Sequence, residues 1–72
     1  MEREPRISVS LNGRECEVAE GSPLSDLLSG LPIPPDGSAV ELNGKVVPRS
    51  GYSEALLRPG DRVEVVTLVG GG

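Results

Sequence analysis

This chain of 72 residues is long enough for one small domain, and its net charge of −4, with seven basic side chains scattered among eleven acidic ones, leaves no basic face for a nucleic-acid backbone or an anionic lipid surface. It has no histidine and one cysteine, Cys16, so an intrachain disulfide is excluded and the commonest metal ligand and general base is missing. Hydrophobic residues make up 36% of the chain, which suffices for a small aliphatic core.

The N-terminal run Met1-Glu2-Arg3-Glu4-Pro5-Arg6 mixes charges, and no apolar stretch long enough for a signal peptide or a membrane span follows it. The expectation is a soluble, cytoplasmic protein. Residues 6–11 then alternate, with Ile7, Val9 and Leu11 on one side and Ser8 and Ser10 on the other, as in a half-buried strand. Asn12-Gly13 suits a type I′ turn, whose two centres both need positive φ. The return strand over residues 14–19 puts Cys16 and Val18 towards the core and Glu15 and Glu17 towards water.

Glu20-Gly21 breaks that strand, and Ser22-Pro23 offers an N-cap hydroxyl followed by proline at the first helical position. Leu24, Leu27, Leu28 and Leu31 fall on one stripe at i, i+3, i+4 and i+7, which predicts a short amphipathic helix ended by Gly30 in left-handed geometry. Two helical turns are unstable alone, so the leucines must pack on a sheet.

The three prolines of residues 32–38 predict a stiff loop. A strand over residues 39–42, a second Asn-Gly turn at 43–44 and a return strand over 45–47 follow, and Pro48 places the return strand at a sheet edge. Residues 49–57 allow two readings: one helical turn capped by Ser50 and carrying Tyr52, Leu56 and Leu57, or a plain loop. In either case these three side chains read as a small core lid. Arg58-Pro59-Gly60-Asp61 is a tight turn. Residues 62–69 carry five valines and leucines, too many for a strand with a wet face, which predicts a central strand at least partly covered on both sides.

Hairpin, helix, hairpin and central last strand make an α+β fold, a mixed sheet of four to five strands with one helix packed across it, read as one domain over residues 1–72 with a flexible tail at 69–72. The tail is Val69-Gly70-Gly71-Gly72. Glycine accepts nearly any φ and ψ and has no side chain, so three of them extend about 10 Å and can thread a narrow channel to present the terminal carboxylate. The chain holds no triad, no paired carboxylates in a pocket and no phosphate-binding loop. It therefore reads as a protein without a catalytic site of its own. Cys16 reads as a core residue rather than a sulfur relay.

Three segments together carry a family resemblance: Asn43-Gly44-Lys45-Val46-Val47-Pro48-Arg49, Pro59-Gly60-Asp61-Arg62-Val63-Glu64-Val65-Val66, and Val69-Gly70-Gly71-Gly72. In this order and spacing the chain resembles the small ubiquitin-like β-grasp sulfur carriers, and among them the ThiS family of thiamine biosynthesis. The related MoaD-type molybdopterin carriers are similar in design but tend to be longer and richer in phenylalanine, of which this chain has none.

The resemblance implies a protein cosubstrate rather than an enzyme. A ThiF-like adenylating enzyme would use ATP and Mg²⁺ to convert the Gly72 carboxylate to an acyl-adenylate, a persulfide sulfur donor would replace AMP, and the Gly72 thiocarboxylate would deliver sulfur to a ThiG-like thiazole synthase. No cofactor binds the carrier itself. Val69, Gly70 and Gly71 would thread into the partner: Gly71 allowing close passage, Gly70 giving the exit its flexibility. Val66 and Leu68 read either as a partner patch on the face away from the helix or as residues buried under segment 49–57. Rival functions are the same chemistry serving molybdopterin or another thiolation pathway, a ubiquitin-like modifier that forms lysine conjugates, and a binding module with an incidental tail.

Overall fold

The computed structural model describes residues 5–31, 33 and 37–67. Strand β1 (Arg6–Leu11) and β2 (Arg14–Ala19) form an antiparallel hairpin in the register Leu11 to Arg14 and Ile7 to Val18. At the turn Asn12 has φ 52° and Gly13 φ 83°, as expected for Asn-Gly. The second hairpin, β3 (Ser38–Leu42) with β4 (Lys45–Val47), repeats the device with Asn43 at φ 54° and Gly44 at φ 86°. A 3-10 turn (Arg49–Gly51) follows β4, and the chain closes with β5 (Arg62–Thr67).

The five strands form one mixed sheet in the order β2-β1-β5-β3-β4. β5 lies parallel to β1 and antiparallel to β3, so the last strand is central and β4, with Pro48 behind it, is at an edge. The inward side chains of the sheet, Ile7, Val9, Val40 and Val63, form one buried cluster with Leu24, Leu28 and Leu57. Leu11, Cys16, Val18, Leu27, Leu31 and Val65 pack around it, half-buried.

Helix α1 (Leu24–Leu28) begins differently from the sequence expectation. Ser22 does not cap it: its Oγ donates to the Ala19 carbonyl at 2.7 Å, and Pro23 occupies the cap position. The free N–H groups of the first turn are met instead from far along the chain, Leu24 N donating to Ala55 O at 2.7 Å and Ser25 N to Tyr52 O at 3.0 Å. Leu57 N returns a bond to Ser22 O at 2.9 Å. With its donors already satisfied, the helix has no need of a hydroxyl cap.

Gly30 is likewise not in the left-handed region; among the glycines with positive φ are Gly21 before the helix and Gly37 after it. The helix ends by tightening into i to i+3 bonds, Ser29 N to Asp26 O and Leu31 N to Leu28 O. Segment 49–57 resolves to a single 3-10 turn with no side-chain cap from Ser50, followed by a loop lying against the start of α1. Leu57 is buried and Tyr52 half-buried, as a core lid requires, whereas Leu56 is 57% exposed.

β5 is central yet keeps a wet face, contrary to the expectation of cover on both sides. Val63 and Val65 point to the core while Arg62, Glu64 and Val66 are exposed. The reason is geometric. A five-residue helix and the loop beside it share one face of the sheet, and among the described residues no helix or loop covers the other. Among the described residues no helix is long and apolar enough to cross a membrane.

Candidate functional site

The strand that leads to the C-terminus is fastened at its start from both sides. On the β3 side Asn43 N donates to Arg62 O at 2.7 Å, Asn43 Oδ1 accepts from Arg62 N at 2.9 Å, and Asn43 Nδ2 donates to Asp61 Oδ1 at 3.0 Å. Asp61 Oδ2 accepts from Arg58 N at 2.8 Å, closing the turn in which Gly60 takes φ 83°. On the β1 side Gly60 N donates to Ser8 O, Ser10 N to Asp61 O and Asn12 N to Val63 O, all between 2.8 and 2.9 Å. One step further, Asn12 Oδ1 accepts from Val65 N at 2.8 Å.

The two Asn-Gly turns therefore serve β5 as well as their own hairpins. From the sequence, Leu11-Asn12-Gly13 and Leu42-Asn43-Gly44 read as the same turn chemistry used twice, which does not reveal the role of the asparagine side chains. The repeat was the available signal, because Asn, unlike Gly or Asp, tolerates positive φ while offering both a donor and an acceptor.

On the open face Val66 is 39% exposed and sits opposite Ala39 of β3, and Val46 of β4 is 64% exposed opposite Glu41. Glu41 also faces Glu64 across the β3–β5 pair. The face thus presents short apolar side chains beside acidic ones. Val66 lies away from segment 49–57, which runs on the helix side, so the reading that buries it there is overturned. Val69, Gly70, Gly71, Gly72 and Leu68 lie outside the described residues.

A groove of about 530 Å³ opens between the end of α1 and the β3–β4 edge, lined among others by Leu28, Leu31, Ile33, Val47 and Tyr52. Its lining is mostly aliphatic, with polar side chains from Ser25, Ser29, Ser38, Arg49 and Tyr52, and among the described residues it holds no carboxylate, histidine or cysteine. Cys16 is half-buried against the core, and among the described residues no group of three His, Cys, Asp or Glu is gathered to hold a metal ion. What the described fold supplies is a last strand, β5, hydrogen-bonded from both sides before the residues that lead to the terminus.

Known proteins share this fold. The ThiS family model matches residues 7–72. The crystal structure of the thiamine biosynthesis protein ThiS from Geobacter metallireducens is similar with a TM-score of 0.75 and 33% identity, over 92% of this chain and 100% of that one. The sulfur carrier protein ThiS of Escherichia coli is 24% identical over 66 residues, 92% of this chain and its own full length. A thiazole synthase of Magnetococcus marinus is 39% identical over 66 residues, and this chain spans only 20% of that protein's length. The mixed five-stranded sheet with one small helix is accordingly the ubiquitin-like β-grasp expected from the sequence. Matched by one family model from Ile7 to the terminal glycine and sharing its fold with a solved ThiS protein, the chain belongs to the ThiS family.

Proposed function

We propose that this chain is a sulfur carrier of thiamine biosynthesis that works through the carboxylate of Gly72. The observation that supports this most is the extent of the family match, which runs through the last glycine rather than stopping with the folded body. The names of the ThiS relatives point to the same pathway.

A carboxylate is too poor an electrophile to accept sulfur directly. A ThiF-like enzyme therefore activates it: a Gly72 carboxylate oxygen attacks the α-phosphorus of Mg²⁺-bound ATP, the bond to pyrophosphate breaks, and a mixed acyl-phosphate anhydride with AMP forms. The terminal sulfur of a partner's persulfide attacks the Gly72 carbonyl carbon and AMP leaves. A second thiol then cleaves the acyl disulfide at its S–S bond, reducing the sulfur on Gly72 to a thiocarboxylate and leaving a disulfide behind. Sulfur suits the attack because it ionises near neutral pH.

The acceptor is a thiazole synthase. Support comes from two proteins so named, of Magnetococcus marinus and Paramagnetospirillum magneticum, which contain a segment 39% and 34% identical to this chain. A carrier-like segment within a synthase places donor and acceptor at high effective concentration. The carrier itself contributes position: a strand fastened at its start by Asn12, Asn43 and Asp61, and a tail thin enough to enter two different enzymes.

Intact-protein mass spectrometry tests the reading, on the chain purified from its own cells and again after incubation with ATP, its adenylating enzyme and a sulfur source. The expected result is exchange of one oxygen for sulfur, located on Gly72. No exchange and no adenylate with a competent enzyme overturns it. Lysine conjugates that resist denaturant would favour a modifier instead.

A further inference from the structure

β5 outruns its neighbour. Its parallel pairing with β1 consists of Ser10 with Arg62 and Leu11 with Val63, after which β1 turns away through Asn12-Gly13, while β5 continues beside β3 as far as Thr67 opposite Ser38. The direction of the backbone groups along this overhang follows from the bonds already described. Arg62 turns its N–H and C=O to the β3 side, where both meet Asn43. Alternation then turns those of Val63, Val65 and Thr67 to the other side. Val63 O accepts from Asn12 N there, and Val65 N donates to Asn12 Oδ1. Beyond that side chain, the Val65 carbonyl and the Thr67 N–H and C=O face a flank with no strand beside it among the described residues. Thr67 is exposed.

We propose that this flank of β5, from the Val65 carbonyl to Thr67, is a docking edge on which an extended segment of the adenylating enzyme adds as a further strand. The inference rests on the carrier function proposed above. Its physical basis is the register problem of a glycine tail. Residues 68–72 follow Thr67 and reach about 17 Å when extended. At their end the carboxylate must meet a phosphorus atom to within about 0.5 Å. Gly70, Gly71 and Gly72 have no side chains by which an enzyme could read how far the tail has entered, and each adds conformational freedom that must be lost on binding. A strand paired to β5 supplies the missing register through main-chain bonds with a fixed repeat, on the last described part of the chain before the tail. Asn12 marks where the edge begins, since its side chain already occupies the Val65 N–H and leaves the next groups open.

The edge groups can be altered without touching the internal sheet, because the Thr67 N–H lies on the flank opposite β3. Total synthesis of the 72-residue chain with N-methyl-Thr67, beside an unmodified synthetic chain, provides the pair. Both are assayed for ATP-dependent pyrophosphate release by the adenylating enzyme, and for melting temperature. The expected result is a rise of roughly tenfold or more in KM for the N-methyl chain at an unchanged melting temperature, the scale of one or two main-chain bonds. Equal KM for the two chains overturns the docking edge and leaves the carrier function standing. No pyrophosphate release from the unmodified chain removes the carrier function and the edge with it.

Should N-methylation lower the melting temperature, amide exchange on the unmodified chain decides. Saturating adenylating enzyme slows exchange of the Thr67 N–H at least about tenfold if a strand pairs there. An unchanged rate, or protection by thiazole synthase but not by the adenylating enzyme, overturns the proposal.

Discussion

The side-chain oxygen of Asn12, in the first turn of the chain, accepts a hydrogen bond at 2.8 Å from the backbone N–H of Val65 in the last strand. The bond spans 53 positions of sequence and substitutes for the neighbour that β5 loses when β1 turns back. A hairpin turn thereby helps hold the strand that carries the terminus.

Asn12→Ala removes this acceptor and also forces a residue with a β-carbon, but no polar side chain, into φ 52°. The expected loss is about 1–3 kcal/mol in urea unfolding, combining one hydrogen bond with the left-handed strain. Asn12→Asp keeps an acceptor and the tolerance for positive φ, so it should lie within about 1 kcal/mol of the parent. Equal stability of the alanine and aspartate variants would show that the bond to Val65 contributes nothing.

Asn43 and Asp61 offer a reciprocal test. Asn43→Asp replaces the donor that meets Asp61 Oδ1 at 3.0 Å with a second carboxylate, and should destabilise the protein by about 1–2 kcal/mol. Adding Asp61→Asn restores a donor with the roles exchanged: the new amide can donate to residue 43 and still accept from Arg58 N. The double variant should recover most of the loss, read as a coupling term in a double-mutant cycle. Additive losses would sever the pair.

Gly71→Val tests the tail separately from the body. The substitution lies beyond the described fold, so the melting temperature should stay unchanged while pyrophosphate release with the adenylating enzyme falls to background. A folded Gly71→Val chain that is adenylated at the normal rate would show that the tail need not be thin.

Val66→Asp probes the open face. Val66 is 39% exposed and outside the buried cluster, so the cost to stability should be about 1 kcal/mol or less, mostly lost strand preference. Binding to the adenylating enzyme or to thiazole synthase, measured by calorimetry, should weaken at least about tenfold if this face meets the partner. An unchanged Kd for both enzymes would remove Val66 from the contact.

The sequence by itself determined whatever depends on neighbours along the chain. Alternation in residues 6–19 predicts β1 and β2 as they stand, because side chains point to opposite faces at every second residue. Asn-Gly predicts two left-handed turns, and Pro59-Gly60 a third, because few other pairs accept those dihedrals. The excess of valine in the last strand shows that it is central. The glycine tail and its carboxylate are legible as chemistry because glycine is defined by what it lacks.

Only the tertiary structure decided which distant groups meet. Ser22 has the composition of a helix cap, yet carbonyls of Tyr52 and Ala55 arrive first at the α1 donors, and a serine cannot signal that in its own sequence. The wet face of β5 could not be read from five valines and leucines, because cover depends on where the helix and the 49–57 loop settle. The grip of Asn12 and Asn43 on β5 is of the same kind: their dihedrals are local, but their side-chain partners come into reach only when the last strand enters between the two hairpins.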